Sequence, residues 1–401
     1  MKRLRSMVYF WQKGLVNLPR ILARLALGRR LPESVGERVL HGPRERLSLR
    51  RDAYGVLYVD ARCEEDAWFG LGFGHGQDRA GQLEIIVRLL RGTLSEVLGP
   101  DGLPLDLLSR RLQVHRAGSA QYALAEPCLQ AQFDAYAAGI NAAFECQSSK
   151  PAHEHVLLGT RATRWTGQDC QTFAAYLCFM LAANWDIELM RLRILESDGP
   201  AALEALEPAY PSWLSTVIGE NEGREASLER LAQDLKAVTP LMGLGGGSNA
   251  WAIAGSRSAS GRPILANDPH LMPSVPSQWY LTRLKTPEWC VAGASFVGTA
   301  AMGSGHNEYL AWGVTAGHAD HSDLFMEELS PDGEHVREGK AFVACELFDE
   351  RIRIKGAADH IERVKVCRRG PIVGESFRGQ KRAMSLSATW LAPRPYSGIF
   401  S

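Results

Sequence analysis

An α+β fold is predicted by three observations in this 401-residue chain. Apolar residues recur at helical spacing before residue 248. Strand-like alternation dominates after it. A glycine run, Gly245-Gly246-Gly247, separates the two regimes. Strands that follow helices, with an apolar strand opening the second half, suit a core layered helix–sheet–sheet–helix.

The first 30 residues carry eight lysines and arginines (Lys2, Arg3, Arg5, Lys13, Arg20, Arg24, Arg29 and Arg30) and no acid. Leu15, Leu18, Ile21, Leu22 and Leu25 fall at helical spacing, which suits a helix packed on the body or one lying on an anionic membrane surface. The longest apolar run there, Met7 to Trp11, is too short for a signal-peptide core or a membrane span. Residues 119–146 predict a helix with Ser119 as N-cap and Leu124, Leu129, Phe133, Tyr136 and Ile140 inward. Residues 171–196 predict a core helix, because Phe173 to Ala183 is uncharged yet only eleven residues long. Residues 220–240, charged and ending at Pro240, read as an exposed connector. After it, Ala250-Trp251-Ala252-Ile253-Ala254 reads as a buried strand, and Trp279 to Lys285 as a half-alternating one. Arg351 to Lys355 and Ile361 to Val366 alternate cleanly around Gly356 and Asp359, the pattern of a hairpin.

Composition excludes several classes. Lysine plus arginine and aspartate plus glutamate number 45 each, so no field for nucleic acid or membrane is expected. The eight cysteines show no Cys-x-x-Cys spacing and read as mostly reduced, core-filling thiols rather than a zinc or redox site.

Chemistry concentrates at the glycine run. Glycines give the backbone access to the strained geometry of a self-cleaving bond. If the chain were cut before Ser248, a serine hydroxyl and a free α-amine would share one residue. That amine titrates at about 7.7–8.0, near working pH, and could serve as the serine's general base. An ordinary linker running into a strand is the competing reading of these residues taken alone.

Four separated blocks decide between them. The first is Arg51-Asp52-Ala53-Tyr54-Gly55-Val56 with the run Glu65 to Arg79, which contains Gly70-Leu71-Gly72-Phe73-Gly74-His75-Gly76-Gln77-Asp78-Arg79. The second runs from Arg91 to Gly99. The third joins Ser248-Asn249-Ala250-Trp251 to Ala266-Asn267-Asp268-Pro269-His270. The fourth joins Gly305-His306-Asn307 to Ala311-Trp312-Gly313-Val314-Thr315-Ala316-Gly317. In this order and spacing the chain resembles the penicillin acylase (penicillin amidase) family of N-terminal-nucleophile hydrolases, on the side of the cephalosporin, aculeacin and acyl-homoserine-lactone acylases.

The resemblance implies an αββα sandwich of antiparallel sheets between helix layers. It implies hydrolysis of the amide of an acylated small molecule, a β-lactam, lipopeptide or acyl-homoserine lactone, through an acyl-serine. Ser248 would be the nucleophile, freed by cleavage between Gly247 and Ser248. His270 would contact that nucleophile or act through its backbone on the oxyanion. Ala316 would give its N–H to the oxyanion. Glu188, Asp320, the carbonyl of Ser322 and Asp323 would hold a structural calcium; no cofactor is expected in catalysis. Trp251, Trp279, Tyr280, Phe296 and Met302 could line an acyl pocket, or serve as plain core. His75, Gln77, Asp78 and Arg79 look chemical, but the resemblance makes their block structural, with Asp78 and the adjacent arginine as a buried pair or helix anchor. Expected partners are the small-molecule amide and the chain's own processed α and β pieces as a heterodimer, with no nucleic acid and no transmembrane span.

The expected organisation is a basic segment over 1–50, a mainly helical part over 51–219, a connector or removable spacer over 220–247, and the incomplete opening of the nucleophile domain over 248–401. Only 153 residues follow Ser248. Relatives place a second oxyanion donor, an asparagine side chain, further downstream, so the chain reads as C-terminally truncated. An inactive, unprocessed scaffold is the alternative function. The resemblance implies the periplasm, whereas the missing signal-peptide core implies the cytoplasm.

Overall fold

The computed structural model describes residues 36–37, 39–182, 185–206, 247–271, 273–315, 317, 321–377 and 380–393. The basic segment over 1–30 and the connector up to residue 246 therefore lie outside the described residues.

Two strands, β1 (Ser48–Arg51) and β2 (Leu57–Asp60), precede a helical stretch. It comprises α1 (Glu64–Asp78), α2 (Ala80–Arg91), α3 (Ser95–Leu98), α4 (Leu103–Arg111), α5 (Val114–Leu124), α6 (Pro127–Cys146), α7 (His153–Leu158), α8 (Gly167–Ala182), α9 (Trp185–Asp198) and α10 (Pro200–Leu206). Strands follow: β3 (Ser248–Ile253), β4 (Ile264–Pro269), β5 (Trp279–Lys285), β6 (Cys290–Phe296), β7 (Met302–Asn307), β8 (Ala311–Trp312), β9 (Ser322–Glu328), β10 (His335–Glu338), β11 (Ala341–Ala344), β12 (Glu346–Ile352), β13 (His360–Cys367), β14 (Gly370–Phe377) and β15 (Gln380–Ala388).

The helix expected over 119–146 is two helices. Pro127 occupies the first turn of α6, and proline drives the residue before it out of the helical region, so Glu126 sits at ψ 148° and α5 ends at Leu124. Ser119 is thus inside α5 and caps nothing. At α1 the sequence is a poor helix former, with glycine at 70, 72, 74 and 76. Packing overrides propensity here. A Cβ at Gly72 would stand 2.0 Å from the Tyr136 carbonyl oxygen of α6, and one at Gly139 of α6 equally close to the Phe69 carbonyl oxygen. Gly70 and Gly74 face the other way, against Val59 and Leu57 of β2. The two glycine rows let α1 lie tightly between a helix and a sheet. The acidic first turn, Glu64, Glu65 and Asp66, complements the helix dipole, and Asp66 also accepts the backbone N–H groups of Arg44 and Glu45.

One sheet has the order β1-β2-β5-β6-β7-β8, antiparallel except for the parallel pair β2–β5 that joins the two halves of the chain. A second has the order β12-β13-β14-β15-β9 and is antiparallel throughout. The predicted hairpin is β12–β13, with Gly356 at φ 79° in its turn, but its first strand runs over Glu346–Ile352 rather than the expected Arg351–Lys355. Two ribbons, β3–β4 and β10–β11, stand apart.

Each sheet is covered by helices. Leu57, Leu71, Leu83, Phe133, Tyr136 and Leu284 share one core with the first sheet. Leu90, Leu108, Phe173, Phe179, Met384 and Trp390 share another with the second. Fully burying such a side chain contributes about 1.5–3 kcal/mol, so apolar contact rather than charge joins the halves. Ion pairs at that seam add register: Arg110 meets Glu350 at 2.7 Å and Arg111 meets Glu362 at 2.6 Å. All eight cysteines are free thiols, but only Cys170, Cys345 and Cys367 are buried, so they fill the core less than expected.

Candidate active site

Ser248 is the first residue of β3, as the motif requires, and pairs across the ribbon with Pro269. The strand is not buried. Trp251 is 57% exposed, and β3 has β4 as its only partner among the described residues. Apolar composition makes a strand want cover, but pairing in a separate two-stranded ribbon leaves both faces largely open.

The ribbon register places His270 beside the bond expected to break. The His270 N–H donates to the Gly247 carbonyl oxygen over 2.9 Å. A Cβ built on Gly247 would lie 4.0 Å from His270 Nδ1, so the ring stands over the same glycine. Nε2 meets Asp268 Oδ2 at 2.7 Å. In the neutral ring a carboxylate there favours the tautomer with its proton on Nε2, which leaves the Nδ1 lone pair on the Gly247 side.

Ala316 lies outside the described residues, and Thr315 before it is described. Thr315 Oγ1 donates to the Ser248 carbonyl over 3.0 Å. Asn267 joins that segment to the ribbon. Its Nδ2 donates to the Asn249 and Val314 carbonyls at 3.0 and 2.9 Å, and its Oδ1 accepts from Val314 N–H at 3.2 Å and Ser304 Oγ at 2.6 Å. All four hydrogen-bonding positions of the amide are used. Gly313 makes room for it, since a Cβ there would come within 2.6 Å of Asn267. The motifs contain Asn267 and Thr315 but assign neither a role, and Ser304 falls outside them. The available signal was an asparagine in a strand, which such residues disfavour unless they bond locally.

Of the calcium candidates, Glu188, Ser322 and Asp323 lie on described elements. Glu188 lies on α9, which packs against β9, the strand that opens with Ser322 and Asp323. Glu188 pairs with Arg191 one turn on. Asp320 lies outside the described residues, and among those described no three potential ligand side chains converge.

Tyr280, Trp279, Phe296 and His75 are held in packing and hydrogen-bond contacts. Tyr280 is buried, its hydroxyl held by Asp78 at 2.7 Å and Arg51 at 2.9 Å. Asp78 pairs with Arg51 at 2.8 Å rather than with the adjacent Arg79, which lies over the Tyr280 ring. Neighbours along a helix point apart, and Arg51 of β1 reaches across instead. Trp279 and Phe296 pack on each other with centroids 4.0 Å apart. His75 is fully buried in a directional chain. Gly298 N–H donates to Tyr136 Oη, which meets His75 Nδ1 at 2.6 Å, while Nε2 meets Ser295 Oγ at 3.1 Å. Burial, with Arg79 nearby, lowers its pKa to about 3, so it is neutral. No described helix is long and apolar enough to cross a membrane.

A profile of the penicillin amidase family matches residues 47–400. The chain is 32% identical over 366 residues to acyl-homoserine lactone acylase QuiP of Pseudomonas aeruginosa, an alignment covering 88% of this chain and 43% of that protein. It is 30% identical over 371 residues to penicillin acylase 2 proenzyme of Pseudomonas sp. (strain SE83), covering 89% of this chain and 47% of that protein. Among solved structures, the thermostable penicillin G acylase from Alcaligenes faecalis in its tetragonal form is 22% identical, with 43% of this chain and 97% of that chain covered at a TM-score of 0.36. The chain thus spans less than half the length of the curated relatives it matches. On the extent of the family match, this chain belongs to the penicillin amidase family, and its described residues form an α+β arrangement of helices and largely antiparallel sheets.

Proposed function

We propose that this chain is the nucleophile-bearing part of an acylase that hydrolyses the amide of an acylated small molecule, an acyl-homoserine lactone or β-lactam, after cutting itself before Ser248. The observation that carries the reading is the hydrogen bond from His270 N–H to the Gly247 carbonyl, directly beside Ser248. In the first step Ser248 Oγ attacks the Gly247 carbonyl carbon. The oxygen that accepts from His270 gains negative charge there, and a fixed donor stabilises it. The peptide C–N bond breaks, the proton from Oγ passes to the new Ser248 amine, and water releases the ester. His270 Nδ1 would carry that proton, a role supported by its 4.0 Å distance from a Cβ built on Gly247.

In the second reaction Oγ attacks the substrate amide, with the freed α-amine as base. The amine leaves protonated and water cleaves the acyl-serine. Ala316 N–H would receive the oxyanion; the bond from Thr315 to Ser248 supports its segment lying beside the nucleophile. The apolar seam and the pairs Arg110–Glu350 and Arg111–Glu362 would keep the two pieces together as a heterodimer. A calcium on Glu188, Asp320, Ser322 and Asp323 belongs to the same reading, supported by the contact between α9 and β9, and would be structural.

A second reading, an uncut scaffold without activity, is favoured by the exposure of β3, because water competes for every charge the site must stabilise. Intact-mass analysis of wild type and Ser248→Ala separates the two. A wild-type fragment beginning Ser-Asn-Ala-Trp that the variant lacks supports processing, and hydrolysis of acyl-homoserine lactone and penicillin is then assayed. Uncut wild type supports the scaffold.

A further inference from the structure

We infer that the cavity between α5 and the five-stranded sheet is a second ligand site, one that takes a carboxylate carried on an apolar chain. It has a volume of about 870 Å³, the size of a small-molecule site. No residue of β3, β4 or 313–317 lines it, so it is separate from Ser248. One wall is Leu112, Ala117 and Ala120 beside and on α5, and the other is Val366, Pro371 and Leu391. These are hydrocarbon surfaces suited to an alkyl or aryl chain.

Charge at the cavity is specific. Arg337 is held by Glu328 at 2.7 Å, Arg369 by Glu327 at 2.8 Å, and Arg368 faces Glu338 at 3.8 Å. Arg116 is different. Its guanidinium stacks 3.7 Å from the centre of the Phe348 ring, and its Nε donates to Gln113 Oε1 at 2.8 Å. Among the described residues it has no carboxylate partner. A stacked guanidinium keeps its remaining N–H groups in a plane, the geometry that takes a carboxylate through two hydrogen bonds. Glu338 and Glu346 on the same lining offset the other arginines and disfavour a polyanion. A monoanion on an apolar chain therefore fits, and a phosphate ester does not. The walls come from both sides of the Gly247–Ser248 bond, so an occupant would bind the two halves at once. The proposed hydrolysis releases a carboxylic acid of this kind, yet the site does not depend on that reaction.

The test is calorimetric titration of decanoate into the 401-residue chain, with acetate and decanol as comparators and with the variants Arg116→Gln and Ala117→Trp checked for fold by circular dichroism. The expected result is one equivalent of decanoate bound, decanol and acetate at least tenfold weaker, and at least a tenfold loss of decanoate affinity in each folded variant. Arg116 is exposed, so its replacement leaves the core untouched. Decanol binding as well as decanoate would overturn the carboxylate assignment. Unchanged decanoate binding in both variants would place the ligand elsewhere, a pocket at Ser248 included, and overturn the site. Neither readout uses amide hydrolysis, so failure here and failure of the proposed activity are told apart.

Discussion

His270 N–H donates to the Gly247 carbonyl oxygen over 2.9 Å, one residue from the serine whose attack would charge that oxygen. His270→Pro removes this donor and His270→Ala keeps it. Losing one oxyanion donor slows acyl transfer by roughly 10²–10³. A time course of fragment appearance by intact mass should show the proline variant slowest, with the alanine variant between it and wild type because only its imidazole is gone. Equal rates for the two variants would remove the backbone donor from the mechanism.

Asn267 ties β3, β7 and the 313–315 segment through one amide. Asn267→Ala frees the Val314 N–H and the Asn249 and Val314 carbonyls together. Each net hydrogen bond contributes about 0.5–1.5 kcal/mol, so hydrogen exchange at Val314 should accelerate by about tenfold or more, while peptides of α1 and α6 stay protected. Loss of protection across the whole chain would mean that Asn267 supports global folding rather than this joint.

The parts legible in the sequence are those with a single dominant signal. Alternation in Ile361–Val366 marked β13, and the glycine run marked the change from helices to strands before Ser248, whereas the strand expected over Arg351–Lys355 overlaps β12 only at Arg351 and Ile352. Signals that act through space were missed. Trp251 sits in an apolar run, and nothing local tells that its ribbon pairs apart from both sheets. Arg51 lies 27 positions from the Asp78 it pairs with, so sequence offered the adjacent Arg79 instead. Pro127 was visible, and its effect on Glu126 should have divided the helix assigned over 119–146.

The alternating glycines of α1 read as a weak helix but are a packing device, and the two faces should respond differently. In Gly72→Ala the new Cβ would meet the Tyr136 backbone at 2.0 Å, and backbone cannot yield without moving α6. In Gly74→Ala it would meet the end of the Leu57 side chain, which can turn. Alanine gains about 1 kcal/mol of helix propensity in both. Overpacking costs about 1–3 kcal/mol and more when backbone must shift. Urea denaturation should therefore show Gly72→Ala as clearly the less stable variant. The reverse order would refute the close α1–α6 approach.

Acid should destabilise the protein in two stages, the first set by His75. Its neutral form is fixed by direction. Gly298 N–H points into Tyr136 Oη, so the Tyr136 proton goes to Nδ1, and Ser295 Oγ donates on to the Tyr280 carbonyl while accepting from Nε2. A second ring proton would face the Tyr136 proton with no acceptor available. Burial and Arg79 accordingly put the folded pKa at about 3, against 6.5 for the free side chain. Between those values the unfolded chain binds a proton that the native chain refuses. Stability then rises with pH, and it falls by about 1.4 kcal/mol for each pH unit below 6.5. Glu84 acts lower. Burial alone would raise its pKa, but His155 Nε2 at 3.5 Å and hydrogen bonds from Thr163 and Arg88 hold it at about 2, so its contribution is complete above about 4.5 and is lost as pH falls towards 2. In His75→Gln, urea midpoints between pH 6.5 and 5 should change less steeply than in wild type. Some slope remains because burial also lowers the pKa of His115. Below pH 4.5 both proteins lose the Glu84 contribution, and wild type keeps the additional His75 slope down to about pH 3, below which the two run together. Identical slopes above pH 5 would show that His75 is protonated in the folded chain.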